Sequence, residues 1–283
     1  MHALDILVRS LSVSTPRGQS RELWQYHSRS DHHSKIACWG VFFDLLETSA
    51  LLRAHVESGK VVFGVNHAMY DFVNNKKKKL DLVIARPGQQ AAPRAPRSFG
   101  EYATRWAVAL SDQERARLAS FPQAFEGPVG SVLVAMEAKA CMTEHGKAGP
   151  RLYDELNSSH QIVHASSNQA LAVGFVMVNA ADRFVSPDRN RRLGVGEARE
   201  ISLHKQPHAA EIALRAVTHL PRRSDTSSQG YDGLAIAVVD MPNDGTPVRL
   251  VEDAPAPQPG EILHYGSMIR RVAGEYDAKF HRI

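Results

Sequence analysis

Residues 131–140 read Ser131-Val-Leu-Val-Ala-Met-Glu-Ala-Lys-Ala140, an almost continuous apolar run whose charged residues come at its end. Such a run is typical of a central strand that is covered on both faces of a sheet. Because side chains alternate along a strand, Glu137 and Lys139 are predicted to project from the same face. Burying an unpaired charge costs several kcal/mol. The two residues therefore either form a structural ion pair or take part in catalysis or ligand binding.

A second carboxylate, Asp81, interrupts another apolar strand pattern. A polar turn, Asn74-Asn75 followed by four lysines, lies between two segments with strand-like patterns. These segments are residues 61–72 and Leu80-Asp-Leu-Val-Ile84. Two strand patterns around such a turn predict an antiparallel hairpin. If the second strand of this hairpin lies beside the strand 132–140, Asp81 can reach the charged end of that strand.

The residues that this pairing would bring together suit a magnesium site. Two carboxylates provide the hard oxygen ligands that Mg²⁺ prefers, and this ion keeps several waters and contacts substrate phosphate. Lys139 could orient an attacking water or help to deprotonate it, which is the chemistry of phosphodiester hydrolysis. Asp71 is a rival for the role of Asp81, but its place beside the turn favours a turn residue.

The rest of the chain predicts an α/β protein. Periodicity and helix caps predict helices over 31–57, 151–165, 207–220 and 262–280, a short helix after Ser111, and strands over 171–179, 231–240 and 248–251. We therefore expect a mixed central sheet flanked by helices. The expected divisions are an N-terminal arm over 1–30, a core over 31–180 with an insert over 87–128, and a C-terminal α/β extension of the same sheet or small accessory region over 181–283.

With these elements in place, Asp81 followed by Glu137-Ala138-Lys139 resembles the PD-(D/E)XK nuclease superfamily, which has the restriction-endonuclease-like fold. The resemblance covers residues 31–179. It implies that Asp81 and Glu137 bind the metal ion, that the carbonyl of Ala138 joins the metal shell, and that Lys139 serves the water. It also makes residues 31–180 a nuclease core.

Two features depart from the pattern of this superfamily. Leu80 precedes Asp81 where many members have proline, and 56 positions separate Asp81 from Glu137, which exceeds the usual spacing. The insert 87–128 would account for the excess. In several branches a carboxylate from the first helix enters the metal site, and this makes Glu47 a candidate ligand, with a solvated helix face as the alternative.

Basic residues around these positions are candidates for contacts with DNA. The lysines after the turn could hold backbone phosphates without reading the base sequence, or could simply keep the turn solvated; they are Lys76, Lys77, Lys78 and Lys79. Lys147 and Arg151 follow the central strand and could also contact DNA. Their alternatives are an ordinary surface position and a local helical pair with Glu155.

Composition narrows the class of protein. The net charge of +4 and the sequence pI near 9.1 suit a polyanion as partner without requiring one. Two cysteines are too few for a disulfide framework or a thiolate zinc site, which predicts reduced thiols. No stretch approaches the roughly 18 apolar residues of a membrane span, and residues 1–14 lack a secretory pattern. These features predict a cytoplasmic protein that has no membrane partner.

The leading hypothesis is a Mg²⁺-dependent endodeoxyribonuclease of the restriction, defence or repair type, with Mn²⁺ as a substitute ion. Cleavage of both DNA strands would favour a two-fold homodimer. One alternative is a catalytically inactive nucleic-acid-binding or scaffolding protein on a nuclease-like fold, in which Glu137 and Lys139 merely pair. Another is a hydrolase or transferase acting on small phosphate esters, although no Walker loop or G-x-G-x-x-G turn favours nucleotide chemistry.

Overall fold

The computed structural model describes residues 1–17, 22–72, 74–90, 95–191, 197–225 and 227–283. Residues 18–21 of the predicted N-terminal arm and 91–94 of the predicted insert lie outside the described residues. In chain order the described elements are α1 (Ala3–Leu11), β1 (Thr15–Arg17), β2 (Glu22–Trp24), α2 (His32–Thr48), α3 (Ala50–Glu57), β3 (Val62–Asp71), β4 (Lys76–Pro87), α4 (Phe99–Arg105), α5 (Asp112–Ala119), β5 (Val129–Cys141), α6 (His145–Ser166), β6 (Leu171–Asn179), β7 (Arg183–Val185), β8 (Ile201–Leu203), α7 (His208–Thr218), β9 (Gly233–Asp240), β10 (Arg249–Val251) and α8 (Tyr265–Lys279).

Among the described residues, six strands form a mixed central sheet in the order β10-β9-β6-β5-β4-β3. The pairs β5–β6 and β6–β9 are parallel, and the other neighbours are antiparallel. This is the α/β architecture with a mixed, helix-flanked sheet that the sequence predicts. Because β9 and β10 join it, the region after 181 extends the same sheet.

Helices cover both faces of the sheet, so its central strands are buried on both sides. One core layer contains α1, α2 and α8, with Trp39, Phe42 and Phe63 among its fully buried side chains. The other layer contains α6 and α7, with Leu156 and Val176 at its centre. Within the described chain, no helix is both long enough and apolar enough to cross a membrane.

Several helices differ from their predicted limits for local reasons. The predicted helix 31–57 is divided at Ser49, whose side chain accepts a hydrogen bond from the N–H of Leu52 and so caps a new helix, α3. Helix α6 begins six residues earlier than predicted and contains Pro150. Helix α4 was not predicted, although Ser98 and Glu101 form a capping box of the same kind as the one that begins α5.

The predicted N-terminal arm contains a helix that belongs to the core. In α1 the side chains of Ile6, Leu7 and Leu11 are buried. The N-terminus of α1 is held by Asp44 of α2, whose carboxylate accepts hydrogen bonds from the N–H groups of His2 and Ala3 at 2.8 and 3.1 Å. Burial raises the pKa of Asp44, and the donors around it oppose this change.

The segment between β4 and β5 leaves the sheet and returns to the point of departure. Pro87 pairs with Val129, and the N–H of Gly88 donates to the carbonyl of Pro128 at 2.7 Å. Helices α4 and α5 therefore lie in an excursion from a continuous pair of strands. The long separation between Asp81 and the end of β5 adds nothing to their distance in space.

We expect Asp44→Ala to lower the free energy of unfolding by about 2–4 kcal/mol, because it leaves buried N–H groups and the hydroxyl of Tyr265 without their acceptor. Asp5→Ala, at an exposed position of α1, is the control and should cost less than about 1 kcal/mol. Denaturant unfolding of both variants measures the difference. Equal losses would show that Asp44 does not anchor α1.

Candidate active site

The candidate site lies where two neighbouring strands separate. β4 and β5 are paired from Pro87–Val129 to Leu82–Met136, and the ladder ends there. Asp81 and Glu137 are the next residues of the two strands. The N–H of Ala138 donates to Oδ2 of Asp81 at 2.9 Å, so the Asp81 side chain occupies the place that a β4 backbone acceptor would otherwise take.

A change of face in the β3–β4 hairpin positions Asp81. Leu80 and Leu82 would share a face of a regular strand, yet Leu82 packs in the α2 layer and Leu80 in the α6 layer. Asn66 stands opposite Asp81 between the pairs Val65–Leu82 and His67–Leu80, and it has a φ of 50°. This left-handed residue marks the twist by which the hairpin crosses from one layer to the other.

Glu137 is almost fully buried and has unequal oxygen atoms. Its Oε1 lies 2.6 Å from Nζ of Lys139 and 3.9 Å from Nζ of Lys78. Its Oε2 is buried and accepts no hydrogen bond from the described residues. The residue of β6 that pairs with Glu137 is Gly174, where an added Cβ would lie 2.6 Å from Leu234 and 2.9 Å from the ring of Tyr231, so glycine leaves room for these two side chains.

The proximity of the two carboxylates changes the protonation of Asp81. Burial and the charge of Glu137 raise the pKa of Asp81 to about 7, although hydrogen bonds from Ala138 and Ser34 partly oppose this change. Near neutral pH, Asp81 is therefore poised between its charged and neutral forms. A cation placed between the carboxylates would favour the charged form.

The pKa values of two lysines beside these carboxylates are shifted in opposite net directions. Burial lowers the pKa of Lys139, but the contact with Glu137 outweighs burial and the net pKa lies above the usual value. Burial also lowers the pKa of Lys78, and the more distant Glu137 does not compensate for it. Lys139 is thus a stable cation in this arrangement, whereas Lys78 loses its proton more easily than an ordinary lysine does.

The structure adds a third carboxylate, Glu155, which the sequence indicated only as a local helical partner of Arg151. Oε2 of Glu155, on α6, lies 3.7 Å from Nζ of Lys139, and its Oε1 accepts a hydrogen bond from Arg151 at 2.7 Å. Lys78 donates to the backbone carbonyl of the same residue. The pair Arg151–Glu155 was the available signal, but its spacing alone could not place it beside β5.

Glu47 is not part of this group. The prediction that it is a metal ligand is wrong. Glu47 lies thirteen residues after Ser34, the residue of α2 that contacts Asp81, which is about 20 Å along a helix. Its carboxylate lies 3.1 Å from Nε2 of His2 and 3.0 Å from Nε of Arg117. Asp71 also stays apart, since its side chain accepts hydrogen bonds from Asn74 in the hairpin turn.

The four lysines after the turn do not lie in a loop. They form the first part of β4 because they pair with residues 68–71 of β3. Since side chains alternate, Lys78 points toward α6, and Lys77 and Lys79 lie on the opposite, exposed face. Lys76, at the turn, is also exposed.

An open cleft of about 610 Å³ leads away from Lys139. It runs along the first turns of α6, so Lys147 and Arg151 line it together with Arg29 from the segment before α2. The side chains of Lys147 and Arg151 are 85% and 81% exposed, and they lie 3.9 Å from Glu144 and 2.7 Å from Glu155, two carboxylates of the same cleft. Both predicted DNA contacts therefore border the same cleft as Lys139.

The oxygen atoms at the end of β5 are ligands of the kind that a hard cation prefers. They include the carboxylate oxygens of Asp81 and Glu137, one of which is buried and has no hydrogen-bond donor. In a strand, the N–H and C=O of one residue point to the same edge, so the Ala138 carbonyl also lies on the Asp81 side. Across the described positions, no group of three or more His, Cys, Asp and Glu side chains is arranged to hold a metal ion.

Comparisons with known proteins add no identification. No protein-family model matches this chain, and no curated protein and no solved structure matches it.

We expect Asp81→Asn to make the metal-free protein more stable at pH 8 than the parent, by roughly 2–4 kcal/mol, and to change stability little at pH 4. Between about pH 4 and 7 the folded parent holds a proton on Asp81 that the unfolded chain releases, so its stability falls as the pH rises. Asparagine has no such titration.

Denaturant unfolding in EDTA at several pH values tests this expectation. Asp154→Asn, an exposed change on α6, is the matched control and should leave the pH dependence unchanged. If Asp81→Asn and the parent lose stability in parallel between pH 5 and 8, Asp81 does not carry the raised pKa.

Proposed function

We propose that this chain is a Mg²⁺-dependent endodeoxyribonuclease that hydrolyses DNA phosphodiester bonds, of the restriction, defence or repair type. The observation that carries the proposal is the convergence of Asp81, Glu137 and Lys139 where β4 and β5 separate, with a buried Glu137 oxygen that has no hydrogen-bond donor. The succession α2, β3, β4, β5, α6, β6 supports a restriction-endonuclease-like core around this site.

The two carboxylates and the Ala138 carbonyl would hold the ion, with Mn²⁺ as a substitute. Bound there, Mg²⁺ would supply positive charge that stabilises the negative charge developing on the phosphate and the leaving oxygen. Asp81 would give up its remaining proton, because a neighbouring cation favours the carboxylate. The free Oε2 of Glu137 would gain the partner that it lacks.

Lys139 would act on the attacking water. While it contacts Glu137 it keeps its proton, so its first role is to donate a hydrogen bond from Nζ and hold the water in line with the phosphate. A cation bound to Glu137 would weaken the contact between Glu137 and Lys139 that raises the pKa of Lys139. Burial would then lower its pKa and make proton transfer from water easier.

The cleft beside Lys139 supplies a route for the DNA backbone. Lys147, Arg151 and Arg29 line it, and charges of this kind hold phosphates in register without reading the base sequence. Cleavage of both strands would require a second active site, which a two-fold homodimer provides. A defence or repair nuclease of this class would meet its DNA in the cytoplasm.

One observation favours a second candidate, a catalytically inactive nucleic-acid-binding or scaffolding protein. Lys139 and Glu137 are in direct contact at 2.6 Å, as expected of a structural ion pair. Such a protein would bind DNA through the same cleft but would not cut it with any divalent ion. Plasmid incubated with Mg²⁺ or Mn²⁺, with an EDTA control, separates the two candidates.

We expect Glu137→Gln and Lys139→Met each to reduce the rate of plasmid cleavage by at least about 100-fold, because each removes a group that acts on the ion or the water. Asp154→Asn, one residue from Glu155 and exposed, is the control and should cut at the parental rate. Circular dichroism and thermal unfolding confirm that the variants are folded. A folded Glu137→Gln protein with parental activity would refute the catalytic assignment.

We expect Lys147→Gln with Arg151→Gln to weaken the binding of duplex DNA and to flatten its dependence on salt. Removing one phosphate-neutralising cation should reduce the slope of log K against log salt by about 0.9. Fluorescence anisotropy in EDTA measures binding without cleavage. Arg115→Gln with Lys60→Gln, both exposed and outside the cleft, is the matched control for a general reduction of positive charge, and an equal effect in it would rule out a specific route.

A further inference from the structure

The β3–β4 hairpin has an exposed face that the proposed active site does not use. It is formed by alternate residues of the two strands and by Phe72, which directly follows β3, and we call it the outer hairpin face: Ala68, Tyr70, Phe72, Lys77 and Lys79. Tyr70 lies opposite Lys77 and Ala68 lies opposite Lys79. The inner face, with Met69 and Lys78, packs toward α6 and the site.

Two aromatic rings on this face are exposed to solvent. Phe72 is 87% exposed and Tyr70 is 40% exposed. Their rings are stacked, with centroids 5.8 Å apart and an angle of 16° between the planes. Tyr70 covers one side of the Phe72 ring. The other side of the Phe72 ring presents a flat apolar surface to solvent.

Positive charge surrounds these rings. Nζ of Lys77 lies 5.0 Å from the centroid of the Tyr70 ring. In the part of the chain that the structure describes, Lys78 has a carboxylate within ion-pair distance, at Glu137, whereas Lys77 and Lys79 have none. A ligand that offers both flat π surfaces and anionic groups would match this combination.

We propose that the outer hairpin face binds unpaired nucleotides of DNA. The ring of Phe72 stacks on a base, and Lys77 and Lys79 contact the phosphates on either side. Stacking of this kind needs a base whose face is free, so the substrate is DNA with a single-stranded segment beside the cut. The inference rests on the proposed function, since it names the class of DNA that the same site receives.

The position of the face along β4 supports one strand of nucleic acid as the occupant. Lys77 lies four residues from Asp81, about 13 Å along a strand, and Phe72 lies beyond it near the turn. A single strand a few nucleotides long spans a distance of this size. A strand on the outer hairpin face would reach the scissile position at Asp81, the residue at which β4 crosses between the two core layers. An anionic membrane would also attract lysines and aromatic rings, but, unlike a DNA strand, it has no segment that extends from the rings to the active site.

Binding measured in EDTA tests the proposal without cleavage. The probes are a fluorescein-labelled single-stranded oligonucleotide, the blunt duplex of the same sequence, and the single strand with 2-aminopurine as a reporter of stacking. We expect Phe72→Ala to weaken single-strand binding by about fivefold or more and to abolish the change in 2-aminopurine fluorescence. Duplex binding should change by less than about twofold.

Matched variants separate stacking from charge and from a general reduction of apolar surface. Tyr70→Ala should weaken single-strand binding in the same direction, and Lys77→Gln with Lys79→Gln should flatten its salt dependence. Ile262→Ala, which removes another exposed side chain outside the hairpin, should have no effect on binding. Equal weakening on single strand and duplex, or unchanged binding with Phe72→Ala, would overturn the proposal.

Three further outcomes are informative. If Phe72→Ala reduces binding to phosphatidylserine vesicles but not to the single strand, the face is a membrane contact and the proposal is wrong. If the parent binds the single strand through Phe72 but cuts no DNA with Mg²⁺ or Mn²⁺, the inference stands and the nuclease function fails. If the parent cuts DNA in a Glu137-dependent way and Phe72→Ala binds normally, the function stands and the inference fails.

Discussion

The burial of two carboxylates at the end of one strand ladder is the constraint on which the candidate site depends. Asp81 and Glu137 come together with little water around them, and like charges in such a place oppose each other. The protein compensates in part: Lys139 contacts Glu137, and Ala138 and Ser34 donate to Asp81. The compensation is incomplete, since one Glu137 oxygen has no donor and the pKa of Asp81 is about 7. A site of this kind is suited to accept positive charge.

The fold creates this constraint by ending one ladder while the strands continue. β5 goes on beside β6 for five residues after its last pair with β4, so Glu137 and Lys139 remain on a rigid strand. β4 goes on beside β3 and crosses to the α6 layer at Asp81. The excursion that contains α4 and α5 starts and ends at adjacent positions, so it lengthens the chain without separating the strands.

The same crossing divides the charges of the hairpin between two surroundings. Lys78 points inward, where burial lowers its pKa and its neighbours are Glu137 and Glu155. Lys77 and Lys79 point outward beside exposed aromatic rings. A run of four identical residues thus provides one lysine to the site and others to an external surface, because alternation along a strand sends neighbours to opposite faces.

Local sequence was sufficient for the features that depend on short-range periodicity. The alternation in 131–140 placed Glu137 and Lys139 on one face, and the apolar patterns around the turn predicted the hairpin that brings Asp81 to them. What only the tertiary structure decided depends on distances between elements. Glu47 lies at the far end of α2 because a helix rises 1.5 Å per residue, and Glu155 reaches Lys139 because α6 packs across β5. Periodicity determines which face a side chain occupies, whereas packing determines what lies opposite that face.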